Sequence, residues 1–490
     1  MKWETLGSRE ILEQIKTETE IIRKNSKLSY FNIANSFDIE TSSFYEGDEK
    51  RACMYVWAMC INGHYFTGRT WEEFLNFIND IIDVFGVTHS KRFVIYIHSL
   101  SFEMQFMKSY FNFVRIMANK NRQPIVAVCD SGIEFRCSYL LSGYSLSTLA
   151  DVYLKGRVKK LTGDLDYELI RHSKTPITRR EYQYLYNDVR IVYEYINDKI
   201  KNGEPISKIP NTKTGYVRRK LKENCIGGNP VRHKRMAQKH RMYHNKISRL
   251  TISGKEEYEM MLRAFQGGFT HCSCINEGKK FDDVASFDFT SSYPTCLIAF
   301  NEFPVSAGHK VKITSYKEFE MYCATHFCIF DIRFKGLRSK IIYEHYLSYS
   351  KCWINGKYIT DNGRIAEAEE LSTTITNIDF EIIEKCYEWD SMAIGNCYVY
   401  NKGYLPTSFV KTILELYEKK TTLKGVIGRE AEYQSAKENI NALYGACVTA
   451  IIHDNYSIVN GEWITESPDV EKEIQKYNNT FNRVLFFPWG

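Results

Sequence analysis

No window of the 490-residue sequence approaches the ~18 consecutive apolar residues that a membrane-spanning helix requires. The start, MKWETLGSREILEQ, carries charges where a secretory leader needs an apolar run, so a cytoplasmic location is expected. Internal repeats and low-complexity tracts are also missing. The 14 cysteines follow no regular framework, which argues against a disulfide scaffold and for reduced thiols. His271, Cys272 and Cys274 form the only tight His/Cys group. No second pair stands at zinc-finger spacing, and a strand with buried thiols is the simpler reading. What is present is ordinary: 44% hydrophobic and 25% charged residues describe a soluble globular protein long enough for several domains.

The net charge of +6 says little, but its distribution says more. Between Lys208 and Arg249 the chain carries 13 Lys or Arg against a single acid, Glu223. Such a stretch suits tracking of a phosphate backbone, because each neutralised phosphate releases condensed counterion. Tyr216, Met236 and Tyr243 interleave the charges as a packed or stacking surface would. A solvated linker is the competing reading.

Residues 29–67 and 92–98 alternate apolar residues in the manner of strands, and 71–85, 101–111 and 181–200 show helical spacing. An α/β first domain over 1–200 is expected, followed by a basic connection over 201–263. The run VASFDF at 284–289 reads as a buried strand. Residues 305–400 read as mixed short strands and helices, and 406–447 as two helices broken near Gly425–Gly428.

Asp38 and Glu40, in FDIETS, lie two apart on an expected strand, so both face the same side and could grip one cation. Alone, an Asp-x-Glu is common. Glu103 in YIHSLSFEMQF, and Tyr184 with Asp188 in EYQYLYNDVR, supply acids from two further segments. Carboxylates from several segments are what a two-metal nuclease needs to bind two cations, activate water and stabilise the leaving oxygen. Tyr184 would orient that water. In this order the three segments resemble the proofreading exonuclease motifs of family B DNA polymerases. That family usually has Asn at Ser99 and Asp at Glu103; Ser99 and Phe102 would then contact a substrate strand.

SFDFTSSYPT at 286–295 resembles the family's motif A. The resemblance makes Asp288 a ligand of the ion carrying an incoming triphosphate, and Tyr293 the ring that disfavours a ribose 2′-hydroxyl. KENINALYGA at 437–446 resembles motif B, with Lys437, Asn441 and Tyr444 on one helical face as nucleotide contacts, Gly445 allowing close approach of DNA, and Lys420 upstream as a further phosphate contact. AFQGGFTH at 264–271 resembles the Tyr-x-Gly-Gly hinge that holds primer-template DNA, with Phe265 in place of tyrosine beside Gly267 and Gly268.

The whole series is similar to the protein-primed, bacteriophage-type branch of family B. The resemblance implies an RNase H-like 3′–5′ exonuclease domain followed by a partial palm with motif A (264–304), an insertion of the terminal-protein region (305–400), fingers with motif B (401–450) and a return into the palm (451–490). It implies Mg²⁺ or Mn²⁺ as cofactor at Asp38, Glu40, Asp188 and Asp288, and primer-template DNA, dNTPs and a terminal protein as partners. A Tyr-x-Asp-Thr-Asp string resembling motif C does not occur. A second chain carrying motif C and the thumb is therefore expected, with the apolar RVLFFPWG at 483–490 as a partner surface. An exonuclease alone, or an inactive DNA- or terminal-protein-binding remnant, is the alternative.

Overall fold

The computed structural model describes residues 3–4, 9–119, 121–161, 169–225, 250–272, 274–299, 303–342, 344–447 and 450–480. Most of the basic segment, 226–249, and the terminal RVLFFPWG lie outside them. The chain divides into two compact units, Met1–Tyr216 with Gly425–Ala431 and His453–Pro468, and Val217–Lys424 with Glu432–Ile452 and Asp469–Gly490.

The first unit is built on an 11-stranded sheet. Its strands are β1 (Ile21–Asn25), β2 (Leu28–Phe31), β3 (Asn35–Glu46), β4 (Glu49–Ile61), β5 (His64–Gly68), β6 (Lys91–Ile97), β7 (Phe113–Ala118), β8 (Pro124–Cys129) and β9 (Ile133–Cys137), plus the hairpin Asn455–Val459 and Glu462–Glu466. The order runs from the hairpin through β7, β8, β9, β6, β3 and β4 to β5, and β2 pairs with β1 and β6.

Val56 to Ile61 of β4 are buried without alternation, because both faces of the sheet are covered. On one face Trp57, Met59 and Ile61 pack with Phe74, Phe77 and Ile81 of helix Trp71–Phe85. On the other, Val56, Ala58 and Cys60 pack with Leu185 and Val189 of helix Arg179–Lys201. Both helices begin in a capping box, Thr70 with Glu73 and Thr178 with Glu181.

The second unit holds a 7-stranded sheet of β10 (Phe303–Pro304), β11 (His309–Val311), β12 (His326–Ser339), β13 (Cys352–Asp361), β14 (Arg364–Thr376), β15 (Tyr387–Glu388) and β16 (Ser391–Gly403). Its central strands are long, 13 residues in β14 and β16 and 14 in β12, which corrects the expectation of short ones. Asn362 and Gly363, with φ of 47° and 75°, turn β13 into β14. Helices Thr407–Leu423 and Glu430–Cys447 fall where expected, with Gly425 and Gly428 between them.

The expected strand at 284–289 does not form. Residues 281–290 are exposed, with Phe287 93% accessible. Among the described residues no strand lies alongside to take up the backbone hydrogen bonds, and an unpaired segment gains nothing from extended geometry. The reading of 271–274 as a strand fails as well: Cys272 is an exposed thiol in a loop, and Cys274–Asn276 is a 3₁₀ turn.

Candidate functional site

Pleating of β3 turns Asp38 and Glu40 to one face. Ser36 on the same strand donates from Oγ to the Val189 carbonyl at 2.7 Å, which ties helix Arg179–Lys201 to β3. That tether delivers Asp188, one residue before Val189, to the acids of the strand. Ligand oxygens of Asp38, Glu40 and Asp188 all lie within 4.8 Å of one another. Glu103, 3% exposed on helix Leu100–Met107, joins them through a hydrogen bond to Asp38.

Electrostatics mark the cluster as strained. Burial, and then the neighbouring Asp188 charge, push the Asp38 carboxyl up to about 7. Burial pushes Asp188 up to about 6, opposed by Lys160. Glu40 and Glu103 are also raised, by burial first and the Asp38 charge second. Among the described residues, buried Asp188 Oδ1 and Glu103 Oε2 have no hydrogen-bond partner. All-oxygen donors with unsatisfied lone pairs fit a hard divalent cation.

Lys160 is the residue that sequence reasoning missed. Its ammonium pairs with Asp188 and sits 3.8 Å from the centre of the Tyr184 ring. Asn187 Nδ2 donates to the Lys159 carbonyl at 3.0 Å and so holds the lysine's backbone against the helix. The only signal was the basic pair at 159–160 in a loop, which no periodicity distinguishes. Ser99 is exposed at the start of helix Leu100–Met107, and Phe102 is 46% exposed beside Phe106.

In the second unit the motif-like residues gather in part. The rings of Tyr293 and Tyr444 lie 4.7 Å apart at 30°. Lys420 Nζ donates to Ser291 Oγ at 2.8 Å. A Cβ at Gly268 would stand 2.8 Å from the Tyr293 hydroxyl, whereas one at Gly267 would meet open space. Lys437, Asn441 and Gly445 are exposed along helix Glu430–Cys447, and Phe265 is half-buried just after helix Lys255–Ala264. Asp288 is the exception: it is exposed in the irregular 281–290 segment, so the expectation of a buried acid at a strand end is corrected.

A family model described as DNA polymerase type B, organellar and viral, matches residues 157–487, more than half of the chain. The chain belongs to this family. The chain is 23% identical over 287 residues to the DNA polymerase of Bacillus phage B103, and 23% over 294 residues to that of Bacillus phage Nf. Each alignment takes in 58% of this chain and 44% of the relative, so the chain spans less than half the length of these curated relatives.

In structure it is similar to Phi29 DNA polymerase complexed with primer-template DNA in a post-translocation binary complex, with a TM-score of 0.62 at 17% identity over 91% of this chain and 74% of that one. The ternary complex of Phi29 DNA polymerase with incoming nucleotide gives 0.59 at 16%, with the same coverage. At such identity the likeness is one of fold, and the fold is the mixed α/β arrangement that the resemblance to protein-primed family B enzymes implied.

Proposed function

We propose that this chain is a DNA-directed DNA polymerase of the protein-primed type with a 3′–5′ proofreading exonuclease. The observation that carries the reading is the convergence of Asp38, Glu40 and Asp188 from a strand and a helix far apart in sequence. In this reading residues 1–200 are the exonuclease domain, 264–304 the palm with motif A, 305–400 the terminal-protein-region insertion and 401–450 the fingers.

Asp38, Glu40 and Asp188 would hold Mg²⁺ or Mn²⁺. Divalent cations bound there supply an activated water and stabilise the leaving 3′ oxygen. The chain's own groups do the rest. Lys160 offsets the negative charge of the acids, the Tyr184 hydroxyl orients the water, and Ser99 and Phe102 receive the single-stranded 3′ end. For synthesis, Lys420, Lys437 and Asn441 would hold the triphosphate of a dNTP, and Tyr293 and Tyr444 would stack at the nascent base pair. Phe265, Gly267, Gly268 and Gly445 would contact primer-template DNA. Asp288 would complete a metal site with an acid of a motif C and thumb that lie outside these 490 residues. A terminal protein would serve as primer.

The exposure of Asp288 outside any strand favours one second reading, an exonuclease alone. Both are tested on a 3′-labelled single-stranded oligonucleotide with Mg²⁺. Replacing Asp38 and Glu40 by Ala should abolish degradation, and degradation that survives the change overturns the nuclease assignment. Asp288→Ala should spare degradation while abolishing primer extension by the assembled enzyme. If wild-type chain supplied with a motif C and thumb chain never extends a primer, exonuclease alone stands.

A further inference from the structure

His271 was singled out in the sequence, and its surroundings belong to neither of the sites above. Its Nε2 stands 3.6 Å from Oδ2 of Asp361, the last residue of β13, and Nε2 of His345 stands 4.0 Å from the same oxygen. All three side chains are at most 7% exposed. Among the described residues neither buried carboxylate oxygen of Asp361 has a hydrogen-bond partner. A carboxylate removed from water and given no donor is costly, and such groups occur where they are paired or bound to metal.

The separations are informative. Both exceed a hydrogen bond, yet both fall short of ~4.2 Å, twice a typical bond from zinc to imidazole nitrogen or carboxylate oxygen. His345 Nδ1 lies 3.0 Å from Ser339 Oγ, an outer contact of the kind that fixes a ligating imidazole with Nε2 facing inward. Burial, the largest influence on His345, lowers its pKa and favours the neutral ring that can donate a lone pair. The imidazoles flank the carboxylate with ring centroids 6.1 Å apart, so binding would draw them inward. Two imidazoles and one carboxylate select a borderline transition metal over Mg²⁺.

We propose that His271, His345 and Asp361 form a zinc site, separate from the nuclease acids, with water in the remaining position. Its place in the fold gives it a structural task. His271 follows the Gly267–Gly268 segment, and that loop is already held against the β13–β14 turn: Arg364 Nη2 donates to the Thr270 carbonyl at 3.1 Å, and Asn362 Nδ2 donates to the Cys272 carbonyl. A bound ion would clip the loop to the insertion sheet.

The test uses the full chain with Asp38 and Asp188 changed to Ala, to remove binding at the nuclease acids. Titration with Co²⁺ should give one equivalent with the visible absorption of a four-coordinate ion, displaced by Zn²⁺ and not by Mg²⁺. Asp361→Asn and His345→Ala should abolish that absorption, and His345→Cys should keep the ion while adding a thiolate-to-metal charge-transfer band. Absence of the absorption in the parent chain overturns the proposal. So does its persistence in Asp361→Asn, and so does a His345→Cys chain that binds the ion with no such band.

Discussion

The ammonium of Lys160 pairs with the carboxylate of Asp188 beside Asp38 and Glu40, where it is the largest influence opposing the burial of that acid. A lysine so placed keeps Asp188 ionised nearer neutrality and lies against the face of Tyr184. Lys160→Ala should therefore slow 3′ degradation by about 100-fold, the scale of removing one preorganised charge contact. It should also move the rising limb of the pH–rate profile to higher pH, because Asp188 then loses its counter-charge. A slower enzyme with an unmoved profile would reduce Lys160 to a structural support.

The raised carboxyls tie stability to pH with a definite sign. Asp38 and Asp188 normally titrate near 3.8, and in the folded chain they titrate near 7 and 6. The folded state therefore holds more protons than the unfolded chain between those values, so this contribution to stability is complete below about pH 4 and is lost as the pH rises toward 7. Asp38→Asn cannot ionise and escapes the loss. In the absence of divalent cation, the difference in Tm between Asp38→Asn and wild type should move in favour of the variant from pH 5 to pH 8. A constant difference would contradict the burial assigned to Asp38.

Glu103 shares a hydrogen bond with Asp38 and is pushed toward its protonated form by burial and by that neighbour's charge. Glutamine has the same shape and keeps a hydrogen to donate. Glu103→Gln should leave thermal stability without metal within about 1 kcal/mol, the net scale of a single hydrogen bond, while degradation falls because a carboxylate is gone. Calorimetry and the nuclease assay together check this, and a large loss of stability would mean that Glu103 is ionised in the folded chain.

The two glycines of the Gly267–Gly268 pair should respond differently. Alanine at 267 meets open space and should alter stability by less than about 0.5 kcal/mol. Alanine at 268 would push against the Tyr293 hydroxyl and tilt that ring away from Tyr444. Stability should change little, because the hydroxyl is the far end of a side chain, but affinity for primer-template DNA should drop several-fold in a filter-binding or anisotropy assay. Equal behaviour of the two variants would remove Tyr293 from the contact.

The framework of the first unit was readable because its elements bury one face or both with regular periods. Helices 71–85 and 179–201 carry amphipathic spacing and capping boxes, and β3 presents two acids on one face by simple alternation. Lys160 was not readable, since a loop residue acquires its meaning only from what the fold brings against it. The long hairpin of β13 and β14 did have a signal, Asn362–Gly363 between strand-forming residues, which the reading of short elements overlooked. SFDF at 286–289 has the composition of a buried strand, but composition cannot supply the neighbour that a strand requires. His271 looked like one end of a His/Cys group, and its true companions lie in a loop and at a strand end far along the chain.

The hairpin 455–466 has a consequence for how the protein is made. Tyr456 pairs with Ile116 on β7, so the edge of the first unit's sheet is finished by residues synthesised after nearly all of the second unit. At ribosomal speeds of roughly 5–20 residues per second, β7 waits for its neighbour on the order of tens of seconds with one row of backbone groups unprotected. A nascent chain stalled in that interval carries an adhesive strand, and chaperone occupancy during translation should peak there.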